Sequence, residues 1–98
     1  MNPILVEVLT SPDCPHSPRA LKIAKHTVAG LRAPVIVREI SVATEEGRAR
    51  AQEFEIAATP TITINGRIAY VGVPTSKKML ALLDYAIQRE KESASYFF

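Results

Sequence analysis

Residues 4–18 read ILVEVLTSPDCPHSP, and the order of events inside them decides the fold. Ile4 to Leu9 is a short run of β-branched and aliphatic side chains, the composition of a buried strand. It stops at Thr10-Ser11-Pro12-Asp13, a cluster of turn formers. From Pro15 to Leu31 the apolar positions Leu21, Ile23, Ala24, Val28 and Leu31 recur near helical spacing, with Arg19, Lys22, Lys25 and His26 between them and Gly30 as the stop. A buried strand therefore feeds a helix through a turn that carries Cys14, the sole cysteine of the chain.

Outward from this unit, Ala33-Pro34 breaks the chain and Val35 to Val42, VIVREISV, forms a second strand whose Arg38 and Glu39 place one end in solvent. Thr44 is a predicted N-cap for a short helix running to Phe54, with Glu45 and Glu46 favourably placed in its first turn and Gly47 weakening it. After Ala58-Thr59-Pro60 come TITI, the dipeptide Asn65-Gly66 and RIAYVG. Both turn residues tolerate the positive φ of a type I′ turn, so the flanking strands form an antiparallel hairpin. Pro74-Thr75-Ser76 introduces a last helix to Lys91, with Met79, Leu80, Leu82, Leu83, Ala86 and Ile87 as its apolar stripe. Residues 93–98, SASYFF, are set apart as a tail whose Tyr96, Phe97 and Phe98 pack on the domain or on a second copy.

The order β-α-β-α-β-β-α makes the first two strands parallel, adds the hairpin beside them, and requires helices on both faces of a four-stranded mixed sheet. This is an α/β chain. Its 98 residues, 47% apolar and 22% charged, form one globular domain, residues 1–98 with the tail included.

Twelve basic and ten acidic residues are scattered along the chain, so no field capable of gripping nucleic acid is expected. No apolar run approaches the roughly 20 residues that span a bilayer, and Asn2-Pro3 is not a basic signal-peptide start, so no membrane contact and a cytoplasmic location are expected. A single cysteine excludes an internal disulfide and any zinc site built from several thiolates. His16 and His26 stand about three turns apart on one helix, so no metal is expected either.

Cys14 carries the chemistry. A thiol at a helix N-terminus meets unpaired N–H groups and the positive end of the macrodipole, which lowers its pKa below the free value of about 8.5 and favours the nucleophilic thiolate. Pro15 suits the first helical position, where no N–H is needed, leaving the amides of His16 and Ser17 to face the sulfur. The Ser17 hydroxyl adds a donor. A protonated His16 would add positive charge, or would stand in solvent with little influence.

Taken together, SPDCPHSP at a helix start, Thr59-Pro60 before a hairpin and a glycine, Gly72, at the hairpin's end resemble the thioredoxin/glutaredoxin superfamily in its minimal form. The resemblance runs from Ile4 to about Ile87 and is similar to small thioredoxin-like proteins and to single units of protein disulfide oxidoreductases. It implies the minimal thioredoxin fold. It also implies a catalytic set of Cys14, Pro15, His16 and Ser17, with Thr59, Pro60 and Gly72 binding substrate. Thr59-Pro60 matches the superfamily's cis-proline, whose preceding backbone pairs with an extended substrate. Gly72 matches the glycine that admits a partner chain or glutathione, or else simply ends the strand.

Two departures matter. Ser17 stands where the family has its second cysteine, so the chain is either a natural monothiol protein or a Cys-to-Ser form of a dithiol one. Serine cannot attack a mixed disulfide, so one formed at Cys14 persists until an external thiol resolves it. The family's buried aspartate falls at Val8. The neighbouring Glu7 points to the other face and is expected to be a satisfied or edge-facing carboxylate.

The expected function is a thiol-disulfide oxidoreductase acting on a protein disulfide or a low-molecular-weight thiol or disulfide, with a thioredoxin-reductase-like protein as a further partner and a monomer or weak homodimer as the assembly. The alternative is a non-enzymatic thioredoxin-fold binding module. No cofactor is expected: the Gly-Phe pair of iron-sulfur-carrying monothiol relatives is absent.

Overall fold

The computed structural model describes residues 2–95, and the expected order is realised as β1 (Ile4–Thr10), α1 (Ser17–Ala29), β2 (Val35–Ser41), α2 (Glu45–Glu53), β3 (Thr61–Ile64), β4 (Arg67–Val71) and α3 (Ser76–Ser95). The sheet order is β2-β1-β3-β4, with β1 parallel to β2 and antiparallel to β3, and β3 antiparallel to β4. β1 is thus an inner strand paired on both edges, which is why its sequence is so apolar. This is the α/β thioredoxin-like architecture.

The alternation of β1 sorts its side chains between two unlike faces. Ile4, Val6 and Val8 are fully buried and pack with Ala20 and Ala24 of α1, Ile62 and Ile64 of β3, and Met79 and Leu83 of α3. Each large aliphatic side chain sealed here contributes about 1.5–3 kcal/mol, so this layer holds the domain together. Glu7 and Leu9 face the other way, towards α2. Glu7 is 1% exposed, and an unpaired carboxylate there would be costly. Arg50 of α2 donates to its Oε2 at 3.1 Å, and Arg38 of β2 lies 3.6 Å from the same oxygen. Of the two expectations for Glu7, satisfied or edge-facing, the first is the one realised.

Local signals place most ends well. Thr44 caps α2 by accepting from the Gly47 N–H at 3.0 Å. Gly47 is more than a weak helix former: a Cβ there would lie 1.8 Å from the Ser41 carbonyl oxygen, so only glycine lets α2 seat against the end of β2. α2 closes in a Schellman motif, with Glu55 at φ 53°, its N–H on Gln52 O and the Ile56 N–H on Ala51 O. Asn65 and Gly66 take φ of 51° and 80°, as the hairpin turn requires. Asn65 also clamps the hairpin to β1, donating its N–H to Leu5 O at 2.8 Å and accepting the Leu5 N–H on Oδ1 at 2.9 Å.

Two boundaries depart from expectation. α1 begins at Ser17 rather than Pro15, because the chain first makes two tight turns, Cys14 N–H to Ser11 O at 3.0 Å and Ser17 N–H to Cys14 O at 3.3 Å. His16 becomes the N-cap residue, and Pro18 takes the early helical place where a missing N–H costs nothing. The last helix, expected to stop at Lys91, continues to Ser95, so residues 93–95 are helical backbone rather than tail. The expectation for Tyr96, Phe97 and Phe98 lies outside the described residues.

Candidate active site

β1 delivers the chain at its carboxyl end to the turn Ser11 to His16, and β3 begins at the same end of the sheet because it runs antiparallel to β1. That opposition brings residues 45 positions apart into contact: the Cys14 sulfur lies 3.3 Å from the Thr59 carbonyl oxygen. The Thr59-Pro60 peptide is cis. Pro60 is buried, and its carbonyl accepts the Gly72 N–H at 2.8 Å. Gly72 has φ 105°, a left-handed conformation that favours glycine, and beside it a Cβ would meet only Tyr70 at 3.9 Å. Cys14, Thr59, Pro60 and Gly72 are thus gathered at one end of the sheet.

Cys14 is half-buried, and its pKa is lowered from an ordinary 9.0 to about 7. The Ser17 hydroxyl contributes most, then the Thr59 hydroxyl; partial burial opposes them, and the backbone N–H groups of His16 and Ser17 add smaller lowering effects. Ser17 is 3% exposed, and its Oγ accepts the Ser11 N–H at 3.2 Å, which leaves its own hydrogen to donate to the sulfur. The Thr59 carbonyl has the opposite preference. It accepts from a neutral S–H, so it favours the thiol, and the two hydroxyls outweigh it because the net shift is downward.

The amides expected to face the sulfur do so, although the helix starts later than Pro15. Pro15 and His16 are both exposed in the turn before α1. His16 acts on Cys14 through its backbone N–H; its side chain makes no capping hydrogen bond. Val8 lies on the α1 and α3 side, fully buried, and Glu7 on the α2 side, so no carboxylate of β1 reaches beneath the sulfur. Two contributors escaped the sequence reading: Ser11, whose N–H orients Ser17, and the Thr59 side chain. Serine at the last position before a Pro-Asp turn was the available signal for the first. Nothing in the sequence distinguishes the hydroxyl of Thr59 from its carbonyl.

A cleft of about 510 Å³ between Ile68 of β4 and Leu82 and Tyr85 of α3 does not include Cys14. Among the described residues, no group of three or more His, Cys, Asp or Glu is placed to hold a metal ion. No helix among them is long and apolar enough to cross a membrane.

A four-stranded mixed sheet flanked by α1 and α3 on one face and α2 on the other, with a pre-helical thiol against an X-cis-Pro peptide, defines a thioredoxin-like protein. Comparison with known families gives the same answer, since the thioredoxin domain matches residues 4–84. The chain belongs to the thioredoxin domain family. It is 35% identical over 80 residues to a thioredoxin of Methanocaldococcus jannaschii, covering 82% of this chain and 92% of the relative. It is 29% identical over 79 residues to a probable thioredoxin of Methanothermobacter thermautotrophicus, covering 81% and 91%. Among solved structures it is similar to the thioredoxin-like protein BC3987, with TM-score 0.59, 28% identity and coverage of 79% of this chain and 97% of that one. The fold also matches thioredoxin-2 of the malaria parasite, with TM-score 0.71 at 15% identity over 86% of this chain and 84% of that one.

Proposed function

We propose that this thioredoxin-like chain exchanges disulfides through Cys14 and depends on an external thiol to complete each cycle. The observation that carries this reading is the Cys14 sulfur at 3.3 Å from the backbone preceding the cis-proline, with a pKa of about 7. At neutral pH about half of such thiols are ionised, and thiolate is the attacking form. An extended substrate pairing with the Thr59 backbone brings its disulfide to the sulfur.

In the first step the Cys14 thiolate attacks one substrate sulfur, the substrate S–S bond breaks, and the other substrate sulfur leaves as thiolate with the electron pair. Cys14 is then joined to the substrate in a mixed disulfide. Ser17 cannot resolve it, so a glutathione-like thiol or a partner protein's thiolate attacks and releases the reduced substrate. The likeness to archaeal thioredoxins supports a protein disulfide as the substrate of this chain and a cytoplasmic setting for it.

The test compares this chain with Ser17→Cys. The variant is expected to reduce insulin-like disulfides with turnover, while this chain, given a disulfide substrate without external thiol, stops at a Cys14 mixed disulfide visible by intact mass. Turnover by neither protein and no adduct on this chain would instead support a binding module that has lost redox function.

A further inference from the structure

We propose that the outer face of α1 is a docking strip for an acidic polypeptide segment that borders the cysteine attacked by Cys14; this rests on the reading of Cys14 as the nucleophile. Between Asp13 and Glu39 the sequence contains no acidic residue, yet five cations, Arg19, Lys22, Lys25, Arg32 and Arg38, fall in that interval. Arg19, Lys22 and Lys25 lie on α1, and all three are exposed. Among the described residues only Arg38 of the five has an ion-pair partner, and the pairs that form gather around Glu7 and Glu46 on the α2 side, which leaves Arg19, Lys22, Lys25 and Arg32 unpaired. The charge of α1 is therefore left for something outside the domain.

The placement is directional. Ala20 and Ala24 point into the core against α3, so Lys22 and Lys25 project from the opposite side of the helix. A shallow cleft of about 470 Å³ lies along that side, lined by Pro18, Leu21, Lys22, Lys25 and His26. These positions follow i, i+3, i+4, i+7 and i+8 spacing, and Pro18 stands one turn beyond Cys14. The cleft is thus a strip leading away from the sulfur. A chain laid across Thr59 and Cys14 continues onto it. Its carboxylates pair with Lys22 and Lys25, and one apolar side chain rests against Pro18 and Leu21.

The experiment uses the full chain and three synthetic peptides, each with one cysteine coupled as a mixed disulfide to 5-thio-2-nitrobenzoate. The residues flanking the cysteine are Asp/Glu, Ser/Gly or Lys. Attack of the Cys14 thiolate on the peptide sulfur forms the Cys14–peptide disulfide and expels the coloured thionitrobenzoate anion, whose low pKa makes it the better leaving group. At low salt the acidic peptide is expected to react about tenfold faster than the neutral one, and the lysine peptide slowest. In 0.5 M NaCl the spread should narrow to about twofold.

Lys22→Glu/Lys25→Glu is expected to reverse the order. Arg67→Glu/Lys91→Glu, with the same change in net charge on β4 and α3, should preserve it. Equal rates for the three peptides at low salt, or reversal by both double variants alike, would overturn the strip. So would protection by oligothymidylate at concentrations where polyglutamate has no effect, because the surface would then select a nucleic acid. Iodoacetamide alkylation across pH separates the two readings. A midpoint near 7 with flat peptide rates defeats the docking strip alone, and a midpoint near 9 defeats the nucleophile on which it rests.

Discussion

The Ser17 hydroxyl lowers the pKa of Cys14 more than any other group in the domain, and it is held in place for that by the Ser11 N–H. The serine three residues after the cysteine is therefore part of what sets the acidity of that thiol.

Ser17→Ala should move the Cys14 pKa from about 7 back towards 9.0. At pH 7 that removes most of the thiolate and slows iodoacetamide alkylation by about fivefold. Folding lowers this pKa, so ionised Cys14 stabilises the folded state above the unfolded value of 9.0, and this contribution is lost as pH falls through about 7. The difference in urea midpoint between this chain and Cys14→Ala should accordingly grow from pH 6 to pH 9. A constant difference over that range contradicts the assignment.

Glu7→Gln leaves two guanidinium groups over a neutral amide. Removing one partner of a fully buried pair costs about 3–5 kcal/mol. Here the Arg50 and Arg38 side chains are 29% and 46% exposed and partly solvated, so a loss of about 1–3 kcal/mol is expected in urea denaturation. Unchanged stability would mean that the pair contributes nothing.

Two glycine substitutions separate crowding from backbone strain. Gly47→Ala drives a Cβ to 1.8 Å from the Ser41 oxygen, which forces α2 off β2 and costs about 1–3 kcal/mol. Gly66→Ala meets nothing within 4 Å but must hold φ at 80°, a cost of about 1–2 kcal/mol. The first should also abolish the Thr44 cap, read as lost helicity; the second should leave helicity intact.

Glu55 occupies the left-handed position of the Schellman motif that closes α2, where glycine is at home. Glu55→Gly is expected to stabilise the chain by a net gain of about 0.5–1 kcal/mol, measured as a raised thermal midpoint.

Much of this was readable in advance, for reasons that can be stated residue by residue. Asn65-Gly66, Thr44 and the apolar, β-branched run of β1 are local signals whose energies are settled within a few residues, and each element appeared where they placed it. α1 started late because its first hydrogen bonds went to two turns, which Pro15 alone does not reveal. The site divided in the same way. Cys14, Thr59, Pro60 and Gly72 could be proposed from motif and resemblance. The contact of Ser11 with Ser17, and that of Glu7 with Arg50, depends on how separate segments pack, and no spacing in the sequence encodes it. The reach of α3 past Lys91 was missed because its apolar stripe ends at Ile87 and residues 93–98 are too short for a helix of their own.

α2 has a consequence for the sulfur that lies outside it. Of its nine residues only Gly47 is buried, so the helix rests on a cap, a close backbone fit and two ion pairs, Arg50 with Glu7 and Glu46 with Arg38, rather than on an oily interface. Such a segment is expected to breathe well before the strands do, and its backbone amides should exchange with deuterium at a lower free energy than those of β1. Because the chain runs from α2 through residues 54–58 into Thr59, each such excursion slackens the backbone that lies against the Cys14 sulfur.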